Sequence, residues 1–251
     1  MIYLFAGPTL AAEDVPASSE FALLPPVALG DVYRVGQKKP LAIGIIDGYF
    51  ERTPAVSHKE ILWALSQGVH VYGAASMGAL RAAELMAFGM VGVGKIFEAY
   101  RDGVLEDDDE VAVAHSPAAE GYRLASEAMV NIRATVEKAM AQGILQAEEA
   151  ALLLISAKSL YYPLRTYPAV LEAAAKSGLT PSTTVRMQQW LPQHRVDQKR
   201  EDALSLVARL AEKSSRRMPR KKVTFPFHRT QMWDYAMRQC VDMDLEKLQS
   251  K

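Results

Sequence analysis

Short stretches that are apolar at nearly every position, each stopping at a small or polar residue, constrain this chain more than any other feature. Residues 2–6 stop at Gly7-Pro8-Thr9, residues 41–46 at Asp47-Gly48-Tyr49, and residues 69–73 at Ala74-Ala75-Ser76. A weaker run over residues 111–114 stops at His115-Ser116-Pro117. A strand exposed on one face alternates apolar with polar residues, whereas these do not, so they read as strands covered on both faces.

Helical patterns separate the runs. Residues 31–35 suit a short helix before the breaker Lys38-Lys39-Pro40. Ser57 with Glu60 three residues on forms a capping box, and the helix it opens ends at Gly68. Ser76 opens the next helix. From residue 117 onward the pattern is helical, with helices expected over 118–141, 147–160, 168–176, 181–191 and 196–213. Alternating strands and helices predict an α/β fold, a Rossmann-like parallel sheet with flanking helices followed by a C-terminal helical region. The expected division is an α/β core over residues 1–165 and a helical annex with an extended arm over 166–251. The arm opens with the basic run Arg216-Arg217-Met218-Pro219-Arg220-Lys221-Lys222.

Composition narrows the function classes. The 29 basic residues balance the 29 acidic ones, so bulk charge favours neither nucleic acid nor a charged membrane surface. No apolar run reaches the roughly 20 residues of a membrane span. The start lacks the basic region of a signal peptide, and a cytoplasmic location is the default expectation. A single cysteine, Cys240, excludes an internal disulfide framework and a cysteine-rich zinc site. No cofactor and no metal are expected.

Ligands of open parallel sheets bind outside the carboxyl ends of the strands. The strand ends would therefore bring Asp47, Ser76 and His115 to one rim. Ser76 lies in Ala74-Ala75-Ser76-Met77-Gly78, which approximates a Gly-x-Ser-x-Gly elbow. Small flanking residues there allow close strand–helix packing. Spacing alone reads Ser76 as an ordinary helix N-cap; the other reading is a nucleophile or an anion site at a helix N-terminus. Asp47 caps a turn with Gly48 or orients a base. His58 and Lys59 start the helix after the second strand, where cations oppose the helix dipole, which favours a ligand-facing role. His115 is a core histidine or a general acid–base. Arg81 and Glu84, three apart, share a helix face and pair, or Arg81 grips a carboxylate. The acidic run 106–110 is a solvated loop or a cation site. The basic run 216–222 with its following aromatics is a solvated linker or a docking surface for an acidic protein.

At these residues the sequence resembles the TfuA-like family. The resemblance lies in Gly7-Pro8-Thr9-Leu10, Ile45-Ile46-Asp47-Gly48-Tyr49-Phe50 and Val56-Ser57-His58-Lys59-Glu60-Ile61. It continues through residues 73–84 and 108–117 to Ser126-Glu127-Ala128-Met129-Val130-Asn131-Ile132-Arg133. It covers roughly the first half of the chain, and the order of the motifs carries it. The resemblance implies a role in ribosomal peptide modification beside a YcaO-type enzyme that activates a backbone amide for thioamide formation. It further implies sulfur supply, with hydrolysis of a thiocarboxylated ThiS-like carrier protein as the reaction to test. Asp47, His58, Lys59, Ser76, Arg81, Glu84 and His115 fall on the matching motifs. Persulfide relay needs a reactive thiolate, and the family-like part contains no cysteine, so acyl chemistry fits better. In that scheme Ser76 attacks the thiocarboxylate, or N–H groups of Met77 and Gly78 hold an oxyanion while water attacks. His58 or His115 serves as base and Asp47 as orienter. Gly7, Lys59, Arg81 and Glu84 complete the substrate-binding set. The competing expectations are a non-catalytic adaptor that docks the carrier on the YcaO partner, and a small-molecule-binding α/β protein. The last is weakened by the lack of a Gly-x-Gly-x-x-Gly motif after the first strand.

Overall fold

The computed structural model describes residues 1–18, 20–51, 53–215 and 219–249. Five strands, β1 (Ile2–Phe5), β2 (Phe21–Leu24), β3 (Ala42–Ile45), β4 (His70–Ala74) and β5 (Val91–Val93), form one parallel sheet in the order β2-β1-β3-β4-β5. The helices α1 (Asp31–Gln37), α2 (His58–Ser66), α3 (Met77–Leu85) and α4 (Lys95–Arg101) connect or follow the strands. The helices α5 (Met129–Ala141), α6 (Ala147–Ser159), α7 (Tyr167–Lys176), α8 (Pro181–His194), α9 (Gln198–Ser215) and α10 (Gln231–Gln249) make up the C-terminal helical region. No helix among the described residues is long and apolar enough to cross a membrane.

The chain divides into two compact units, Met1–Val104 with Asp202–Lys251, and Leu105–Glu201. This division runs across the boundary expected at residue 165. In the first unit, Ile2, Leu4, Ala42, Tyr72, Ala74 and Val93 share a buried cluster with Ala203, Leu206, Val207 and Leu210 of α9. A side chain at Gly44 would strike both Leu4 and Leu210, at 2.6 and 3.0 Å. One sheet face thus needs a helix from the far end of the sequence. On the other face, Ile43, Ile45 and Val71 are fully buried, and α3 meets the strands backbone to backbone. A Cβ at Gly78 would stand 1.8 Å from the Ile45 carbonyl oxygen, and one at Gly73 would stand 2.0 Å from that of Gly78. The close strand–helix packing expected around Ser76 is therefore enforced by these two glycines.

The second unit is helical. Met129, Ile132, Leu153, Leu171 and Trp190 belong to its apolar cluster. The acidic run expected as a solvated loop or a cation site is instead paired. Arg165, fully buried, donates to the Asp109 carboxylate at 2.8 Å and to the carbonyls of Asp109, Ala157 and Leu160 at 3.1 Å. Arg133 holds Glu110 through two bonds of 2.9 Å. The Lys158 ammonium contacts Asp107, Asp109 and Glu110.

Several sequence expectations are corrected. Residues 111–114 are not a strand of the sheet; they follow a 3-10 turn, Asp108–Glu110, fixed by the ion pairs. The strand beside β4 is Val91–Val93, whose central glycine breaks its apolar pattern. A Cβ at Gly92 would overlap the Phe97 ring at 2.1 Å, so packing against α4 selects the glycine. Phe21–Leu24 is also a strand, although proline-rich sequence surrounds it. The helix expected over 118–141 starts only at Met129, because Gly121 takes a left-handed conformation (φ +76°) after a single 3-10 turn. In the basic run, Arg216, Arg217 and Met218 lie outside the described residues.

Candidate functional site

The strand registers fix which residues leave the sheet together. Phe5 pairs with Leu24 on one side and Ile45 on the other, and Ile45 pairs with Gly73. The segments that follow, Gly7-Pro8-Thr9, Pro25-Pro26, Asp47-Gly48 and Ala75-Ser76, therefore emerge at one carboxyl edge. Chain direction along the sheet order reverses between β1 and β3, and that crevice is where open sheets of this order bind ligands.

Asp47 stands at the crevice, 3% exposed. One carboxylate oxygen accepts the Gly7 and Thr9 N–H groups at 2.8 and 3.0 Å, and the other accepts the Thr9 hydroxyl at 2.6 Å. It shapes the β1 loop directly. Thr9, which the sequence reading did not single out, is thus a site residue; its only sequence signal is its place in Gly7-Pro8-Thr9. Gly7 is required because a Cβ would lie 2.4 Å from the Pro26 ring. A cleft of about 320 Å³ opens at the same edge, with Phe5, Leu24, Pro26, Arg34, Lys38 and Tyr49 among its walls. Spacing carried no sign of it.

Ser76 occupies the N-cap position of α3, yet its hydroxyl makes no capping bond. Its backbone, at φ −120° and ψ −128°, departs from the extended conformation of an ordinary cap. The preceding Ala75 has φ +65°, and the Ser76 N–H donates to the Ala74 carbonyl at 2.8 Å. This is a γ-turn of the rare, strained hand. In an elbow of the Gly-x-Ser-x-Gly type the sharp turn carries the serine; here the left-handed residue comes one position earlier. Among the described residues the Ser76 hydroxyl has no hydrogen-bond partner, although the residue is only 8% exposed. A solvent-accessible hydroxyl with no protein partner at a helix N-terminus is suited to holding an anion or a water. Of the two expected oxyanion donors, Gly78 is engaged, its N–H donating to the Ile46 carbonyl at 3.1 Å. That leaves Met77, packed against Gly48 of the neighbouring strand end.

His58, Arg81 and Glu84 form a separate cluster. The His58 Nε2 lies 2.8 Å from a Glu84 carboxylate oxygen that also accepts the Arg81 guanidinium at 2.7 Å. Because that oxygen only accepts, His58 donates from Nε2 and keeps Nδ1 for another partner. Glu84, and not Asp47, is the carboxylate that orients this imidazole. Glu84 lies about two turns along α3 from Ser76, so the serine and histidine are not hydrogen-bonded. Lys59 donates to the Thr230 hydroxyl at 2.9 Å, and its ammonium sits 5.8 Å from the centre of the Phe227 ring.

His115 belongs to the second unit. Its Nδ1 donates to the Ser116 carbonyl at 2.8 Å, and its ring meets Tyr122 edge-on. Since residues 111–114 are not a strand, the sheet does not deliver His115 to the rim. The second unit also holds a cleft of about 430 Å³ beside Glu127, Asn131, Tyr167 and Asp197. Burial raises the Glu127 carboxyl above the ordinary range, against the Asn131 hydrogen bond. Asp107, Asp109 and Glu110 lie close enough together to coordinate a cation. The Lys158 ammonium contacts all three, at 3.0 Å from both Asp107 and Glu110, and supplies the positive charge that a metal would bring.

The strand order and this rim define an open, parallel α/β protein with four strand-end segments at one carboxyl edge. Residues 47–166 match the family model described as TfuA-like protein, so over that span the chain is similar to the TfuA-like family. The match begins at Asp47, takes in Ser76 and the His58 cluster, and ends after Arg165. No curated protein matches the chain.

Proposed function

We propose that this protein delivers sulfur for backbone thioamidation of a ribosomal peptide, acting with a YcaO-type enzyme and releasing sulfide from a thiocarboxylated ThiS-like carrier. The observation that carries this reading is the unpaired Ser76 hydroxyl at the start of α3, inside the TfuA-like span and beside the crevice of the sheet. In the reaction, water adds to the thiocarboxylate carbon and the C–S bond breaks. A carboxylate and hydrogen sulfide leave, and charge and atoms balance. The Ser76 hydroxyl positions the water or the carbonyl oxygen, and the Met77 N–H faces developing negative charge at the helix end. Asp47 keeps the β1 loop in place. Arg81 and Lys59 attract the anionic carrier tail, and His58, oriented by Glu84, relays a proton.

The missing Ser76–histidine bond favours water over the serine as nucleophile. It also supports a second reading, an adaptor that grips the carrier without turning it over. Incubating the purified protein with thiocarboxylated carrier, while following sulfide and carrier mass, separates the two. Turnover above buffer is expected; its absence with carrier binding intact leaves the adaptor. Ser76→Ala is expected to slow sulfide release by about 10²-fold, the scale of losing one pre-set polar group.

A further inference from the structure

The C-terminal arm lies on its own body. The Lys221 N–H donates to the Gly68 carbonyl at 3.1 Å, and the Pro219 carbonyl lies 2.8 Å from the His70 Nε2. Phe225 meets Phe88 edge-on, and Phe227 meets Trp233. Trp233, 5% exposed, packs with Trp63 of α2 and Tyr33 of α1. Arg34 donates to the Cys240 carbonyl and ties α10 to α1. Between these anchors the arm reaches Lys59, where Thr230 takes a hydrogen bond and Phe227 offers its ring face.

We infer that residues 219–230 form a strap that competes with an acidic ligand for Lys59. Both strap contacts are of the kind a cation exchanges readily. A hydroxyl is a weak partner for an ammonium group beside a carboxylate, and an exposed cation–π contact stabilises only weakly. The aromatic anchor at Trp233 is stronger, because it buries large ring surfaces. The arm therefore stays tethered at Trp233 while its middle lifts from Lys59. A ligand that binds only the open form has an affinity reduced by the fraction of molecules that are open. The identity of that ligand, the carrier's anionic tail, rests on the function proposed above.

The test uses the full chain and the variant Phe227→Ala, which keeps Trp233 and the Thr230 hydroxyl that accepts the Trp233 N–H. Timed acetylation with a lysine-reactive ester, read by mass spectrometry at Lys59, reports shielding without any carrier. The variant is expected to acetylate at Lys59 about tenfold faster, with other lysines unchanged. An equal rate overturns the strap. In parallel, binding of the carboxylate form of the carrier is expected to tighten by a similar factor. Faster acetylation with unchanged carrier affinity keeps the strap but removes the carrier as its competitor, which separates failure of the two readings. Unfolding midpoints for both proteins establish that the variant is folded.

Discussion

Ser76 shows how a residue's type and its surroundings can point in different directions. By type and position it is a cap; by conformation it is not, because the γ-turn at Ala75 swings the backbone out of the extended region a cap needs. A true cap lost to alanine costs about 1 kcal/mol. Ser76→Ala is therefore expected to leave the urea midpoint essentially unchanged, and a loss near that value would restore the cap. Glu60 behaves in the opposite way. Its capping-box role was legible, and its carboxylate does accept the Ser57 N–H. What spacing did not show is complete burial. Burial pushes its carboxyl from 4.5 up to about 7, despite hydrogen bonds from Gly30, Ser57 and Tyr33. The folded state then binds more protons than the unfolded one between those values, so stability falls as pH rises from about 4.5 to 7, by about 3 kcal/mol in total. Glu60→Gln is expected to flatten that slope in urea titrations across the window. A slope retained in full would assign it to other groups.

At the scale of elements, charge pairing decided what periodicity left open. The five-residue acidic run becomes a 3-10 turn because three cations from α5, α6 and the loop before α7 converge on it. Burial alone would raise the Asp109 and Glu110 carboxyls, but hydrogen bonds from Lys158, Arg165 and Arg133 hold both below the ordinary range. Their contribution is present above the normal carboxylate pKa and is lost as pH falls through the lowered values, opposite in sign to that of Glu60. Removing Arg165 takes the donor from the carbonyls of Asp109, Ala157 and Leu160, while Asp109, about a third exposed, keeps Lys158. Arg165→Met is expected to cost about 1–3 kcal/mol, read as a shifted denaturant midpoint. A shift below 1 kcal/mol would mean that the carbonyls and Asp109 find other donors. No spacing rule could have paired Arg165 with Asp109, because the partners lie 56 residues apart.

For the molecule as a whole, the decisive long-range fact is α9. Its Leu206, Val207 and Leu210 cover the sheet face that holds Ile2, Leu4 and Gly44. Each large side chain contributes about 1.5–3 kcal/mol when buried, and the sum is comparable to the 5–15 kcal/mol that holds a whole domain folded. A chain ending at residue 201 is therefore expected to lose cooperative unfolding and to bind an apolar dye. A sharp transition in circular dichroism from that shortened chain would show that the face is covered in another way.

The sequence by itself determined the parallel α/β class, three of the five strands, the capping box of α2 and the close approach at Gly78. These depend on neighbours within a few residues, where side-chain periodicity and backbone sterics act directly. It also placed Asp47 and Ser76 at strand ends that share an edge. Only the tertiary structure decided that β5 is Val91–Val93, that Glu84 rather than Asp47 orients His58, and that the arm folds back onto Lys59. Burial and ion pairing between distant segments set those outcomes, and such contacts leave no period in a sequence. The serine that spacing presented as a cap makes, in the fold, no capping bond, and its hydroxyl has no hydrogen-bond partner among the described residues.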